Sequence, residues 1–450
     1  MNLETLEAIS PIDGRYRYEV EEISEYFSEY SLIKNRVFVE IKWLEKLLLS
    51  GKFIDDKVEK KVIDKLENIN NKFDVIEAQK VKKIEKITKH DVKAVEYYLR
   101  DKLEENELSK YNNLIHLTCT SEDINNLAYG IMINGLLNNV MIPNMEKMID
   151  LVHEKANEYR NIPMLSHTHG QSATPTTVGK ELEVFVYRWN SILKYIKEVK
   201  LRGKFSGAVG NYNAHIVSYP NIDWVNFTKE FVEELGLEYN PLTTQIESHD
   251  IICVLFGFLK LFNNVTMDYN SDMWIYISKG YFKQKVVKGE VGSSVMPHKV
   301  NPINHENSMA NIRMANCIFD NFTSNLQVSR MQRDLSDSSM LRNIGVSFAH
   351  SIISAKQTMK ATEKIEANIQ ELEEDLKNNP EVISEAIQTV LRKNGVANGY
   401  EMLKELTRGK RVSLEEFRKF ISRLEINKED KEMLLKLTPE NYIGLANKIF

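Results

Sequence analysis

The chain has 450 residues, of which 42% are hydrophobic and 27% are charged, so it holds enough apolar material for a sizeable globular core. Its formal net charge of -5 gives no electrostatic reason to expect a nucleic-acid partner, although a local basic pocket for a small anion is compatible with it. Its three cysteines, Cys119, Cys253 and Cys317, are far apart, which excludes a disulfide framework and a zinc ribbon and fits a reducing compartment.

The sequence has no feature typical of export or of a membrane span. The first residues, MNLETLEAIS, lack the basic region and following apolar stretch of a signal peptide. The most apolar run, Ile251 to Phe262, is too short to cross a bilayer and contains Lys260. We therefore expect a cytoplasmic protein with no membrane partner.

Long stretches without proline or glycine predict long helices. These stretches are 15–50, 52–129, 181–202, 258–279, 303–344 and 346–379. Apolar residues recur at helical spacing in the first of them, at Val37, Ile41, Leu44 and Leu48. Because strict alternation of apolar and polar residues is rare, the pattern favours an all-α fold.

The distribution of helices and breakers suggests three helical domains. We expect an N-terminal domain at 1–109, a central bundle of long helices at 110–362 and a C-terminal domain at 363–450. Breakers cluster at 163–175, 203–220 and 289–302, which we predict to be loops. These segments are also rich in His, Ser, Thr, Asn and Gln, and loops carry function more often than helix interiors do.

Two candidate anion contacts occur early in the chain. Arg15 and Tyr16 follow the turn formed by PIDG and are candidates for binding phosphate. Lys89, His90 and Asp91 precede a predicted helix, where free backbone N–H groups attract an anion. The alternative is a helix capped by the aspartate, with a solvated histidine beside it.

The segment SHTHGQ contains two histidines, His167 and His169. A His-x-His pair can bind a metal ion, but no carboxylate follows at a useful spacing. One imidazole can instead serve as a general acid or base, since its reference pKa of about 6.5 is near neutral pH. Two hydrogen-bonded loop histidines without catalytic function are an equally simple reading.

The segment from Gly289 to Pro302 places two glycines around a polar core, which is typical of a mobile loop that approaches a ligand closely. Ser293 and Ser294 offer hydroxyl groups, whereas Lys299 and Asn301 offer donors to a carboxylate. The segment is neither a Walker loop nor a G-x-S-x-G elbow. An ordinary surface turn is the alternative.

Between Arg330 and Arg342 the chain is rich in arginine and serine. Arg333, Ser338 and Arg342 are candidates for a phosphate clamp, because a guanidinium group binds phosphate in a fork. A solvated helix face is the alternative. We interpret the basic cluster TRGKR at 407–411 as a turn with solvated charges.

The segment at 292–302 reads GSSVMPHKVNP and resembles the signature loop of the fumarase/aspartase superfamily. The resemblance implies a long helical bundle, a homotetramer whose active sites are assembled from several subunits, and a β-elimination that releases fumarate. Eight further segments resemble the adenylosuccinate lyase family within this superfamily: SPIDGRY, KHDVKAVEYYL, IHLTCTSEDINNLAYG, THGQSATPTTVGKE, GAVGNYNAH, TTQIESHD, SRMQRDLSDSSMLRN and ELTRGKRV.

The resemblance implies both a reaction and roles for individual residues. Fumarate would be eliminated from adenylosuccinate, giving AMP, and from succinylaminoimidazole carboxamide ribotide, giving AICAR, with no cofactor and no metal ion. The catalytic group would comprise His169 as the acid, Ser293 as the base, His90 and Lys299. The substrate-binding group would comprise Arg15, Tyr16, Lys89, Asp91, Thr120, Ser121, Gln245, Ser294, Asn301, Glu306, Asn307, Arg333, Ser338 and Arg342, with Glu306 near a histidine.

Three positions depart from the family pattern. Lys89 stands where asparagine is usual, His167 where arginine is usual, and Ser172 where proline is usual. The rival functions are another lyase of the superfamily, such as argininosuccinate lyase or aspartase, and a non-enzymatic structural protein on the same scaffold.

Overall fold

The computed structural model describes residues 4–285, 295–296, 298–409 and 412–450. Most of these residues are helical, which confirms the predicted fold class. The α-helices are α1 (Glu29–Ser50), α2 (Lys60–Asn71), α3 (Val75–Thr88), α4 (Asp91–Glu105), α5 (Ser121–Leu136), α6 (Ile142–Glu158), α7 (Val178–Glu198), α8 (Asn213–Ser218), α9 (Trp224–Glu234), α10 (Asp250–Ser278), α11 (Ile303–Asn325), α12 (Ser336–Leu341), α13 (Ile344–Glu363), α14 (Ile369–Asn378), α15 (Ser384–Lys393), α16 (Gly399–Thr407), α17 (Leu414–Ser422) and α18 (Lys428–Lys436).

Short helical segments of other types supplement them. The 3-10 helices are Thr5–Glu7, Arg17–Glu19, Glu21–Glu25, Ser109–Leu114 and Pro380–Ile383, and a π-helix follows α5 at Leu137–Met141.

Six short strands form three pairs within the described residues. They are β1 (Pro163–Thr168), β2 (Gln171–Thr177), β3 (Arg202–Gly203), β4 (Glu238–Tyr239), β5 (Phe282–Gln284) and β6 (Ile365–Ala367). β1 pairs with β2 and β5 with β6 in antiparallel fashion, whereas β3 and β4 are parallel. The prediction of a loop at 163–175 was therefore wrong, because this segment forms a hairpin.

The residues cluster into two compact units. Unit 1 comprises Met1–Met145, Ile192–Asn264 and Ala310–Ser354, and unit 2 comprises Glu146–Ser191, Val265–Met309 and Ala355–Phe450. The division into three domains at residues 109 and 362 stays a prediction.

Unit 1 is built around helix α1 and an aromatic core. The helix begins where the Ser28 hydroxyl accepts the Ser31 N–H at 3.1 Å, and it ends at Gly51 in the left-handed conformation. Trp43 is fully buried, with its ring centroid 4.3 Å from that of Phe205. Its indole N–H donates to the Leu117 carbonyl at 3.1 Å, so the core also holds the segment that leads into α5.

Unit 2 combines an aromatic core with buried hydrogen bonds. Tyr269 lies 5.4 Å from Trp189, ring centroid to ring centroid, and its hydroxyl lies 2.8 Å from that of Thr362. Asn270 donates to Thr358 at 2.9 Å, which satisfies polar groups that would otherwise be buried at a cost. A separate apolar cluster of the C-terminal helices contains Ile383, Ile387, Leu391, Leu403, Phe417, Ile421 and Leu434.

Helix α10 is more apolar than the short run from Ile251 to Phe262 indicated. By length and composition it is the one helix of the described part of the chain able to cross a membrane. Half of its most apolar window is buried inside the protein. A core helix of a globular protein meets the same criterion, so the finding carries no argument for a membrane.

Candidate active site

Backbone strain is concentrated in the segments that the sequence singled out. Nine described residues other than glycine have positive φ angles, a conformation that side chains with a Cβ disfavour. Seven of the nine lie in the segments that resemble the family, and the other two are Glu107 and Asn398. The seven are Lys89, His116, Thr118, His169, Tyr212, His249 and Met331. Strained residues of this kind cluster at functional sites. They persist only where contacts with the surrounding structure hold the backbone in the unfavourable conformation.

His169 occupies the tip of the β1–β2 hairpin. Thr168 pairs with Gln171, so His169 and Gly170 form a two-residue turn, and both have positive φ angles of 52° and 73°. This is the geometry of a type I′ turn, in which histidine is tolerated better than most residues. The His169 side chain is therefore exposed to solvent at the tip of a short hairpin.

The other histidine of this segment has a different environment. His167 Nε2 lies 2.8 Å from Lys279 Nζ, so the neutral imidazole accepts a hydrogen bond from the ammonium group. Burial and the Lys279 charge both lower the pKa of His167. A cation thus lies beside the position where the family usually has arginine.

The departure at Ser172 is also accommodated by a contact. Its hydroxyl donates to Asn379 Oδ1 at 2.9 Å, a bond that the usual proline lacks. Strand β2 is thereby tied to the end of α14.

His90 is itself the N-cap of α4. Its Nδ1 accepts the Lys93 N–H at 3.2 Å, so Asp91 is not the cap and that alternative was wrong. The histidine side chain is about half exposed. Lys89 closes the preceding helix, α3, with a φ angle of 55°, a position where asparagine is better tolerated.

Asp91 lies between two arginines. Its Oδ2 accepts from Arg36 at 2.7 Å and from Arg342 at 3.2 Å. Burial alone would raise the pKa of the Asp91 carboxyl, but Arg36, the Val92 N–H and Arg342 outweigh it, so the pKa is lowered. Arg342 also donates to the Ser338 hydroxyl at 2.9 Å. Two of the three predicted phosphate-clamp residues therefore meet beside Asp91.

Arg333, the third member of the predicted clamp, has other partners. It donates to Gln245 Oε1 at 3.1 Å and to Glu122 Oε1 at 2.9 Å. The Gln245 amide in turn donates to the Ala208 carbonyl at 2.9 Å. Arg333 therefore orients Gln245, which is a predicted substrate contact.

Thr120 and Ser121 stand at the start of α5. The Thr120 N–H donates to Asp123 Oδ2 at 2.8 Å, which is one half of a capping box. Asp123 also pairs with Lys204, and both side chains are fully buried. Sequence reasoning missed this pair, because its members are 81 positions apart.

A second buried charged group was also missed. His116 Nδ1 lies 2.6 Å from Glu40 Oε1, and its Nε2 lies 3.8 Å from Glu96 Oε1. Burial alone would lower the pKa of His116, but the two carboxylates outweigh it and the pKa is raised. This group supports the strained turn at His116 and Thr118, directly before Thr120. The two positive φ angles follow from tertiary contacts that local sequence does not reveal.

The remaining predicted residues of unit 2 lie in and before α11. The Lys299 side chain is exposed, and Asn301 is partly buried at the start of α11. Glu306 accepts from the Trp274 indole at 3.1 Å, and its predicted contact with a histidine stays a prediction. Asn307 follows on the same helix. Ser293 and Ser294 lie outside the described residues.

Arg15 and Tyr16 are adjacent near the N-terminus. The Arg15 guanidinium carbon lies 6.0 Å from the centroid of the Tyr16 ring, and the arginine is exposed. Their role as phosphate ligands stays a prediction. In the parts of the chain that the structure describes, no group of three or more His, Cys, Asp and Glu residues has the arrangement of a metal site.

Two family models match the chain, and together they span most of it. The model described as Lyase matches residues 14–317, and the model described as Adenylosuccinate lyase C-terminal matches residues 329–443. A relative from Buchnera aphidicola subsp. Schizaphis graminum, named adenylosuccinate lyase, is 48% identical, covering 100% of this chain and 99% of its own. The chain belongs to the adenylosuccinate lyase family.

Other members of this family are similar over the same length. The adenylosuccinate lyase of Haemophilus influenzae is 47% identical and that of Escherichia coli K12 is 46% identical, each covering 99% of this chain and 98% of the relative. Membership makes the protein a lyase.

Two solved structures share the fold at low identity. A fumarate lyase from Mesorhizobium sp. BNC1 superimposes with a TM-score of 0.76 at 17% identity, covering 95% of this chain and 96% of the other. A 3-carboxy-cis,cis-muconate lactonizing enzyme from Pseudomonas putida gives a TM-score of 0.73 at 17% identity, with 96% of each chain covered. The similarity shows the fold alone, which is the predicted fumarase/aspartase fold.

Proposed function

We propose that this protein catalyses the β-elimination of fumarate from adenylosuccinate, giving AMP, and from succinylaminoimidazole carboxamide ribotide, giving AICAR, in purine nucleotide biosynthesis. One observation carries the proposal: 46–48% identity over the whole chain to relatives named adenylosuccinate lyase. The two substrates share a succinyl group on nitrogen and a 5′-phosphate, so one site with a succinyl end and a phosphate end serves both.

The elimination requires a base, a site for the developing negative charge and an acid. Ser293 removes the proton on the carbon β to the nitrogen. The electron pair left on that carbon is delocalised into the neighbouring carboxylate, which Lys299 and Asn301 stabilise. As the pair forms the new C=C bond, the C–N bond breaks and His169 donates a proton to the departing nitrogen.

A serine needs help to act as a base, because its hydroxyl is weakly acidic in water. Backbone N–H groups near Gly292 and the positive charge of Lys299 stabilise the alkoxide. Donors of this kind each contribute on the order of 3 kcal/mol to the transition state. His169 suits the opposite role, because the hairpin tip holds it without burying it.

The other predicted residues bind the two ends of the substrate. Thr120, Ser121 and Gln245 bind the succinyl oxygens, and the Arg333–Gln245 contact supports this by fixing the amide. A second group of residues binds the phosphate and sugar, and His90 either positions the phosphate or assists His169. The group comprises Arg15, Tyr16, Arg333, Ser338 and Arg342, with Lys89, Asp91, Ser294, Glu306 and Asn307 completing the site. Arg333 uses two of its five N–H donors on Gln245 and Glu122, so further donors remain for the phosphate.

Fumarate release tests the proposal directly. We expect the wild-type protein to release fumarate from adenylosuccinate, and His169→Ala and Ser293→Ala to abolish turnover while remaining folded. Circular dichroism of each variant is the control for folding. Near-normal turnover in either variant would remove that residue from the mechanism.

We further propose that the protein is a carbon–nitrogen lyase of the amidine-lyase type and that it acts in the cytoplasm. The reaction needs no metal ion and no cofactor. Prolonged dialysis against a chelator should then leave kcat unchanged. A loss of activity that added zinc restores would refute the metal-free mechanism.

A further inference from the structure

A buried ion pair lies behind the residues that we propose to bind the succinyl group. Lys204 and Asp123 have no exposed surface, and Lys204 Nζ lies 2.7 Å from Asp123 Oδ1. Removing two charges from water is costly, and such a pair is often no more stabilising than apolar residues of the same volume. Stability alone therefore does not account for its presence.

The Asp123 carboxylate holds two segments of main chain. Its Oδ2 accepts the N–H of Thr120 at 2.8 Å and that of Gly207 at 3.1 Å. Its Oδ1 accepts the N–H of Ser206 at 3.0 Å. One carboxylate thus fixes the start of α5 against the turn at 206–207.

The Lys204 ammonium adds a third segment. Besides Asp123, it donates to the carbonyl of Gly207 at 3.0 Å and to that of Gln245 at 2.9 Å. The Gln245 side chain donates to the Ala208 carbonyl at 2.9 Å, in the same turn. Gly210 closes this turn with a φ angle of 84°, and a Cβ there would lie 2.1 Å from the Thr243 carbonyl oxygen. The three segments are therefore packed closely around the pair.

The hydrogen-bonding capacity of both charged groups is filled. An ammonium group has three donors, and Lys204 uses all three. The Asp123 carboxylate accepts from Lys204 and from three backbone N–H groups. A group so engaged and so buried does not contact substrate, which distinguishes the pair from catalytic residues.

We propose that Lys204 and Asp123 are positioning residues for the succinyl end of the site. This inference rests on the proposed function, in which Thr120, Ser121 and Gln245 bind the succinyl oxygens. The pair sets the mutual placement of these residues by bonding to main-chain atoms of all three segments. Its loss displaces the succinyl contacts and leaves the phosphate contacts at Ser338 and Arg342 in place.

The test compares Lys204→Met with Lys46→Met. Lys46 is a matched control, because it is only 12% exposed and lies 2.8 Å from Glu234, away from these segments. We expect Lys204→Met to lower kcat/KM for adenylosuccinate by about 100-fold, the effect of a misplacement of about 1 Å. AMP lacks the succinyl group, so its inhibition constant should stay close to that of the wild type. Lys46→Met should change neither quantity.

A purely structural role of Lys204 would affect kcat/KM and the inhibition constant of AMP in a different way. A folded Lys204→Met variant with wild-type kcat/KM, or one that loses AMP affinity as severely as kcat/KM, would overturn the inference. If Lys204→Met does not fold, the double variant Lys204→Met/Asp123→Asn removes both charges and takes its place. Failure of both to fold would show a requirement in folding and would also overturn the positioning role.

The wild-type protein separates this inference from the proposed function. Wild-type protein that releases no fumarate from adenylosuccinate would overturn the proposed function, and the inference with it. Active wild-type protein and an equally active Lys204→Met variant would overturn the inference alone.

Discussion

The histidines of this chain show how burial sets the role of one residue type. His90 and His169 are exposed at the ends of elements, where each imidazole is available to a ligand. His215 and His305 are fully buried, and burial lowers the pKa of each to about 4. His90 was predicted from its position before a helix, and His169 was chosen over His167 by the family resemblance. The burial of the other two depends on packing between distant segments.

The cap at His90 gives a prediction that separates folding from catalysis. His90→Ala removes the acceptor for the Lys93 N–H, so it should lower the free energy of unfolding by about 1 kcal/mol as well as reduce turnover. His90→Asn retains a cap and should restore stability without restoring turnover. Urea denaturation and steady-state kinetics measure the two effects, and an Asn variant with wild-type turnover would reduce the role of His90 to capping.

Two buried histidines with a lowered pKa, His215 and His305, predict a loss of stability in mild acid, which the raised pKa of His116 opposes. Their folded pKa of about 4 lies below the ordinary value of 6.5, so the folded state favours the neutral rings. The stability that they contribute is present above pH 6.5 and is lost as the pH falls towards 4, by about 3 kcal/mol for each histidine.

Urea denaturation at pH 7 and at pH 5 checks this prediction. His305→Gln should reduce the difference between the two free energies of unfolding, whereas His153→Gln, at an exposed site, should not. If His305→Gln leaves the difference between the free energies of unfolding at pH 7 and pH 5 unchanged, then His305 is not its cause.

At the scale of elements, the long helices were predictable and the hairpin was not. Breaker-free stretches and apolar spacing are local features, and they correctly indicated α1, α10 and α11. The β1–β2 hairpin has a His-Gly turn in place of the usual Asn-Gly, and its strands are polar at the tip. The local sequence therefore indicates the pairing of β1 with β2 only weakly.

The hairpin turn gives a prediction about the placement of His169. An added Cβ at Gly170 meets no atom within 4 Å, so Gly170→Ala is disfavoured only by its positive φ angle, which costs about 1 kcal/mol. We expect a clear loss of kcat with little change in thermal stability, because the tip shifts while the helices do not. Asparagine tolerates this conformation, so Gly170→Asn should remain close to wild type. Full activity of Gly170→Ala would show that the turn does not place the acid.

The candidate site could be predicted in part for a related reason. The segments KHD and THG could be singled out by their polar composition, whereas TTQ was found only through the family resemblance. The structure has residues with positive φ angles in all three regions. Lys204 supports the TTQ segment through the Gln245 carbonyl, and Asp123 supports the start of α5 through the Thr120 N–H. Glu40 and His116 pair beside the turn that precedes Thr120. Their pairing joins positions that are far apart in sequence, so no local pattern reveals it.

At the scale of the whole molecule, we expect a homotetramer with shared active sites, as the family resemblance implies. Sedimentation should give four times the chain mass of 52.2 kDa, and dissociation should abolish turnover, because each site needs residues from several subunits. Activity measured during serial dilution, beside sedimentation at the same concentrations, checks this prediction. A fully active monomer would contradict it.

Product analysis tests whether the protein is an adenylosuccinate lyase. Purified protein is incubated separately with adenylosuccinate, argininosuccinate and aspartate, and the products are quantified by nuclear magnetic resonance. We expect fumarate and AMP in equal amounts from adenylosuccinate and no fumarate from the other two compounds. No fumarate from adenylosuccinate, or faster release from either of the others, would contradict it.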